Sequence, residues 1–418
     1  MSMKVAIVGS GISGLTAAYL LSQKHQVTVF EADEYIGGHT ATKNVQYGGK
    51  QYAIDTGFIV FNDWTYPKFQ KLLGELKVDY KPTEMGFSVT NDATGLEYSG
   101  TNLDTLFAQR KNIVSPKHWQ MIRDILRFNK QAIIDVESGQ LPKGMLLGEY
   151  LKKNNYSDSF VHNYLIPMGA AIWSASTDGM QAFPLEFFVR FFKNHGLLSV
   201  NDRPQWHVIR GGSRAYLAPL IENFKDSIHT NTPVDSITRH DNGVSLANAQ
   251  GLNENFDHVI IAAHSNQALA MLDDPSEQER SVLGNITYQD NEVVLHTDQS
   301  LLPRAKKAWS SWNYRIKKTQ TNLPVLTYSM NILQGIEAPV EFCVTLNDTQ
   351  SIDAEKIIGQ YTYAHPVFSA EAVEAQARWT EINGVNRTWF CGAYWQNGFH
   401  EDGVKSAVRV ADGFGIAF

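Results

Sequence analysis

KVAIVGSGISG, Lys4 to Gly14, is the stretch on which the fold turns. Its first part is short and almost wholly apolar, as expected for a parallel strand buried on both faces. It ends in Gly9-Ser10-Gly11-Ile12-Ser13-Gly14, and SGLTAAYLLSQK (Ser13 to Lys24) follows as an amphipathic helix. A second strand, QVTVFEA (Gln26 to Ala32), closes on Glu31, twenty positions after Gly11. A GxGxxG string alone is weak evidence. Between a strand and a helix, with an acidic residue ending the next strand, it is a dinucleotide-binding fingerprint.

Each position has a physical reason. Gly9 permits the tight turn, Gly11 lets the backbone approach a pyrophosphate, and Gly14 lets the helix pack close to the sheet. The helix start at Ile12 and Ser13 offers free N–H groups and partial positive charge to phosphates. Glu31 is placed to accept hydrogen bonds from an adenosine ribose. After it, ADEYIGGHT sets Gly37-Gly38 where the backbone can run beside the pyrophosphate and the flavin end of a cofactor.

GxGxxG, then Glu, five residues and Gly-Gly resembles the signature of FAD proteins with a glutathione-reductase-type cofactor fold. Within these it is similar to the flavin amine oxidase, phytoene desaturase and protoporphyrinogen oxidase superfamily. The resemblance implies FAD, an α/β Rossmann-like FAD-binding domain, and a second α+β substrate domain of antiparallel sheet plus helices. Many members follow the glycine pair with a phosphate-binding arginine; His39, then Thr40, stand there in this chain. YAIDTGFIVFN resembles the family's strand and Asp-x-Gly turn beside the flavin, with Asp55 and Gly57 in the matching places.

At 418 residues the chain is long enough for two domains, and 43% hydrophobic with 19% charged residues excludes a disordered chain. A net charge of −7 argues against a nucleic-acid partner. Two cysteines far apart, Cys343 and Cys391, give neither a disulfide framework nor a zinc site and suit a reduced, cytoplasmic setting. MSMKVAIVGSG enters a strand at once, so no cleavable signal peptide is expected, and no apolar run is long enough to span a membrane. Peripheral contact with the inner face of a membrane stays compatible with these features.

The expected organisation is discontinuous: residues 1–65, 205–270 and 378–418 bind FAD, and 66–204 with 271–377 form the substrate domain. Helical periodicity dominates Asn102 to Lys153; MGFSVT (Met85–Thr90), NEVVLHT (Asn291–Thr297) and EFCVTLN (Glu341–Asn347) alternate as antiparallel strands. Leu185, Phe188, Val189 and Phe192 fall on one helical face, and Phe187 and Phe191 widen it. Two readings of this helix stay open: a buried core element, or a substrate-channel wall or lipid-facing surface. Trp173 and His195 flank it as further candidates. WHVIRGGSRAYLAPL resembles the Gly-Gly segment before a helix in amine oxidases, and a strand is expected around Val234, where the family holds adenine. No second strand-GxGxxG-helix unit occurs, so no NAD(P)H domain is expected.

Near the end, GFHEDG (Gly398 to Gly403) follows the strand Thr388–Gly392 and precedes a helix expected to begin near Gly403. The resemblance implies that this helix aims its N-terminus at the flavin's pyrimidine edge, with Gly392, Gly398, Phe399 and Gly403 in the family's places. Ala393 and Tyr394 stand where the acidic residue that binds the ribityl chain is usual. His400 is a candidate on two counts, its backbone at the flavin carbonyl and its side chain facing substrate as a catalytic group. Tyr394, Trp395 and Phe399 are candidates to line the ring face. Cys391 lies within the strand, so a covalent flavin tether there is not expected. A metal is not expected, because three adjacent side chains point in different directions. Glu401 and Asp402 suit the first turn of a helix.

FCGAYW and GFHEDG, with NHGLL and GGSRAYL upstream, also resemble bacterial predicted NAD/FAD-binding amine-oxidase-like proteins. These are often encoded beside cyclopropane-fatty-acid-synthase-like methyltransferases. That resemblance implies a small hydrophobic substrate, fatty-acyl or lipid-like, and the likeness to the amine oxidase and desaturase superfamily implies an FAD-dependent, hydride-accepting oxidoreductase. A redox-neutral double-bond isomerase or mutase, and a non-catalytic flavin- or lipid-binding partner of a lipid-modifying enzyme, are the alternatives.

Overall fold

The apolar N-terminal run is the strand Lys4–Val8, with Val5, Ala6 and Ile7 fully buried, in a computed structural model that describes residues 2–142, 144–319 and 321–418. It is the middle of a five-stranded parallel sheet ordered Ile228–His229, Gln26–Phe30, Lys4–Val8, His258–Ile261 and Thr388–Phe390. Val5 pairs with Val27 on one side and His258 on the other. The helix Ile12–Leu21 is not amphipathic as expected: nine of its ten residues are buried. The C-terminal helix, His400–Gly413, packs along it and leaves it no polar side.

A seven-stranded sheet forms the second layer, ordered Ile357–Pro366, Tyr288–His296, Cys343–Leu346, Val325–Ser329, Trp312–Ile316, Phe87–Asn91 and Leu96–Ser99. The three strands expected from alternation lie in it, but the sheet is mixed, because Trp312–Ile316 runs parallel to Phe87–Asn91. The helices Pro116–Glu137, Leu147–Lys153 and Leu185–Asn194 share a core with this sheet through Val89, Tyr98, Tyr314 and Leu326.

Two expected boundaries are corrected. Val234 is not in a strand but in the loop before Ser236–His240, where Pro233 has no N–H to give a ladder. The C-terminal helix begins at His400 rather than near Gly403, because Asp402 accepts the Phe399 N–H at 3.0 Å and caps it earlier. Among the described residues no helix is long and apolar enough to cross a membrane.

The aromatic helix Leu185–Asn194 is a core element: Phe187, Phe188, Phe191 and Phe192 are each at most 4% exposed. Its lipid-facing reading is therefore set aside. Phe188 stacks on Phe192 at 4.0 Å between ring centres. Phe188→Ala is expected to cost about 3–5 kcal/mol in denaturant unfolding, while Leu103→Ala, at an exposed position, stays within about 0.5 kcal/mol.

Candidate functional site

The glycine loop forms a cradle with two walls. Gly9 (φ +102°) donates its N–H to Phe30 at 2.8 Å, and a Cβ on Gly14 would lie 2.0 Å from the Gly9 carbonyl oxygen. Gly11 differs: a Cβ there would meet no protein atom within 4 Å. Its glycine is not required by this chain's own packing. Gly11 bridges to Gly37, and a Cβ on Gly38 would stand 3.3 Å from the Gly11 Cα, so the two glycine segments close on one another. The Glu31 carboxylate accepts the Ser10 N–H at 2.9 Å and the Ser10 hydroxyl, tying the second strand to the loop. Val234 follows Thr232, whose N–H donates to the Glu31 carbonyl at 2.8 Å.

The other wall is the start of the C-terminal helix. A Cβ on Gly403 would lie 2.8 Å from Ile12 Cγ2 and 2.9 Å from Ser13 Oγ, so Gly403 is where the two helices cross. Two helix N-termini thus open at one place, both with N–H groups that lack intrahelical partners. Glu401 accepts the Phe69 N–H at 2.8 Å and so caps the neighbouring helix Pro67–Glu75. Gly392 is held by the Ser406 hydroxyl at 3.0 Å from its N–H.

The His400 side chain does not face the aromatic wall. Its ring stacks on Phe58 at 3.5 Å and 11°, and Nε2 lies 3.1 Å from both Thr40 Oγ1 and Tyr216 Oη. Burial holds it well below the usual histidine range. Being the first helical residue, it points back into the domain, whereas Phe399, one residue earlier, points out. Tyr394 and Trp395 are also displaced from expectation. Both pack into the core under the parallel sheet with Ile261 and Phe390, because the turn Ala393–Trp395 folds Tyr394 over Gly392.

The aromatic wall is built elsewhere. Trp173 packs on Phe191 at 4.7 Å, Phe191 on Phe399 at 5.4 Å, and His195 stacks on Phe191 at 3.9 Å. The row runs from the helical layer to the residue that opens the C-terminal helix. Beside it a cavity of about 320 Å³ is lined by Tyr66, Asn194, His195, Phe399, Glu401 and Lys405.

Sequence reasoning missed a chain of rings on the far side of the cradle. His39 packs on Tyr363 at 5.3 Å, His365 at 5.9 Å and His264 at 6.0 Å. His264 stacks on Tyr288 at 4.2 Å. Burial lowers all three histidines, His264 to about 4 and His365 to about 3. Their rings lie side by side, and among the described residues no group of three or more His, Cys, Asp or Glu is placed to hold a metal ion. His264 and His365 each end an Ala-His step, in AAHS after the strand His258–Ile261 and in YAHP at the end of the strand Ile357–Pro366, which was the one local signal.

Asp55 and Gly57 organise this region. Asp55 is fully buried and accepts Thr42 Oγ1 at 2.6 Å, Ser213 N at 2.9 Å and Gln334 Nε2 at 2.8 Å. Burial still pushes its carboxyl up to about 6. Gly57 is forced: a Cβ would lie 2.2 Å from the His39 carbonyl oxygen, which accepts the Phe58 N–H at 2.7 Å.

The model of the flavin containing amine oxidoreductases matches residues 12–323. L-amino-acid oxidase of Mus musculus is 24% identical over 294 residues, 64% of this chain and 40% of that one. The match thus spans well under two thirds of that relative's length. A CLA-producing fatty acid isomerase from P. acnes superposes with TM-score 0.71 at 15% identity, covering 99% of this chain and 98% of that one. Cyclohexylamine oxidase from Brevibacterium oxydans superposes with TM-score 0.68 at 16% identity, covering 99% and 100%. These likenesses establish the fold.

FAD fits the residues present. Gly11 is open where a side chain would obstruct a pyrophosphate, and the two helix starts converge there. His39 Nε2 is buried without a partner among the described residues. Gly11→Ala is expected to cost the protein no more than about 1 kcal/mol, an N-cap effect, yet to weaken FAD binding, read by flavin fluorescence quenching, at least roughly tenfold.

The buried titratable groups set a pH profile. His195, His264 and His296 are lowered by burial to about 4 and His365 to about 3, from 6.5. Unfolding lets each bind a proton, so their contribution is lost as the pH falls from 6.5 toward 4. Asp55 and Asp402, raised by burial from 3.8 to about 6, oppose this: folded, they keep a proton that the unfolded chain releases, and that contribution is lost as the pH rises through 6. Four groups outweigh two. Unfolding midpoints should drop on acidification across this window, and His296→Gln should flatten the slope by about 1.4 kcal/mol per pH unit.

Proposed function

The chain belongs to the flavin containing amine oxidoreductase family, and from that premise we propose an FAD-dependent oxidoreductase that takes a hydride from a hydrophobic, fatty-acyl or lipid-like substrate. The observation that carries this reading is the row Trp173, Phe191 and Phe399, continuous from the helical layer to the cofactor-side helix. Trp173 and Phe191 are themselves buried, so an acyl chain would rest against Phe399 at the half-buried end of the row, where it lines the cavity, and gain about 25 cal/mol per Å² of apolar surface buried. His195, the titratable group in contact with the row, is lowered to about 4 and so is neutral at pH 7.

Bound FAD would supply the two-electron acceptor. Gly11, Gly37 and Gly38 would admit its pyrophosphate, and the starts of the helices Ile12–Leu21 and His400–Gly413 would face its negative groups. Phe191 and Phe399 would position the chain and exclude water. His39, neutral through burial and with Nε2 unpartnered among the described residues, is free to hydrogen-bond the cofactor. His400, Tyr394 and Trp395 act in this reading as supports, since their side chains lie behind the site.

Anaerobic titration of the FAD-loaded protein with fatty-acyl lipids and, separately, with primary amines tests the reading. Bleaching of the flavin band by lipids and not by amines is the expected outcome. Bleaching by amines alone would overturn the substrate class. Product formed only after dithionite reduction would assign the redox-neutral isomerase or mutase, and binding without turnover in either state the non-catalytic lipid partner.

A further inference from the structure

The helix Pro116–Glu137 turns Met121, Phe128 and Ala132 into the core it shares with the aromatic helix Leu185–Asn194. Its outer face carries Trp119, Arg123, Leu126, Lys130 and Ile134, at i, i+4, i+7, i+11 and i+15. That spacing puts apolar and basic residues alternately along one stripe. Trp119 and Leu126 are 50% exposed and Ile134 59%, with Arg123 and Lys130 exposed between them. The turn Arg110–Val114 extends the stripe, with Val114 84% exposed. Trp119 Nε1 donates to the Ile113 carbonyl at 2.7 Å, so turn and helix form one surface.

The charge of this region opposes that of the whole. Leu103 to Glu137, the end of the helix, holds six basic residues and four acidic ones, in a chain of net charge −7. The acids are engaged: Asp104 pairs with Arg110 and Lys307, Asp124 with Arg127 at 3.2 Å and Glu137 with Lys193, and Asp135 accepts the Tyr150 hydroxyl at 2.7 Å. Lys111, Lys117, Arg123 and Lys130 make no ion pair among the described residues.

We propose that this stripe and turn dock the protein on an anionic lipid surface, with Val114 entering the boundary between headgroups and acyl chains. Charge complementarity selects the occupant. A second copy of this chain would set the same unpaired cations against one another, since a two-fold contact brings like patches together. An acidic protein would match the cations but leave Val114 and Leu103, the most exposed large apolar side chains among the described residues, without a use. Docking does not depend on the substrate reading, although this helix is directly packed on the aromatic one.

Co-sedimentation of the FAD-loaded full chain with phosphatidylcholine vesicles, with and without phosphatidylglycerol, tests the proposal. Binding should require phosphatidylglycerol and weaken as salt shortens the screening length below about 8 Å. Lys117→Gln/Arg123→Gln/Lys130→Gln should lower partitioning on the order of 100-fold, at about fivefold per cation. Val114→Cys carrying a polarity-sensitive dye, specific because Cys343 and Cys391 are fully buried, should shift to the blue with the anionic vesicles alone. Absence of both the sedimentation and the shift would overturn the proposal, as would equal binding by the triple variant. A lipid-independent dimer abolished by Val114→Asp would give the face to a second copy, and tight binding of acidic polypeptide with no vesicle binding would give it to a protein.

Discussion

Two helices begin at almost the same point, and the rest of the site depends on that approach. Gly403 makes it possible, since a Cβ there would press on Ile12 and Ser13. Helix N-termini each carry partial positive charge, so setting two together is unfavourable unless negative charge lies nearby. The chain supplies part of that charge through Asp402 in the first turn of the second helix. Burial raises the Asp402 carboxyl to about 6, which leaves it ionised at neutral pH. A diphosphate across Gly11 would supply the remainder. Cofactor binding and folding are therefore linked: a ligand at free concentration c that relieves this repulsion stabilises the folded chain by RT ln(1 + c/Kd).

The half of the site that was legible in the sequence is the half built by neighbours in sequence. Gly9, Gly11, Gly14 and Glu31 lie within one strand–helix–strand unit, so local spacing reveals their geometry. The parallel sheet and the family resemblance followed from it. The other half comes from sheet pairing across long separations. His365 reaches His39 only because Ile357–Pro366 pairs along Tyr288–His296 and brings it there. No spacing rule connects residues more than three hundred positions apart.

The misread residues share one cause, the direction in which a side chain leaves its backbone. His400 and Phe399 are adjacent, yet the helix begins between them and sends the two rings to opposite sides. Tyr394 and Trp395 sit in a single tight turn, and that turn rotates both under the sheet. Composition and motif identify such residues as near a site. Only the start of a helix or turn, known to one residue, decides which way they point. The helix Leu185–Asn194 was easier, because six apolar positions around a ten-residue helix leave it little polar surface to expose.

Asp55 explains how the two layers hold a common geometry at this site. Its carboxylate joins Thr42 from one hairpin, Ser213 from the Gly-Gly turn and Gln334 from beneath the seven-stranded sheet. Gln334 returns the contact, accepting the Asp55 N–H at 2.9 Å. A buried carboxylate is costly to desolvate, and only a full set of donors makes it tolerable. The set here is drawn from three distant segments, so the carboxylate is satisfied only when both layers are in register. Two residues later Gly57 admits the Phe58 N–H to the His39 carbonyl, and Phe58 in turn carries the His400 ring. Position is thus passed from the second sheet, through Asp55 and Phe58, to the first residue of the C-terminal helix. His400 does its work there as a packed, neutral ring that fixes where the helix begins, and so where Phe399 meets the aromatic row.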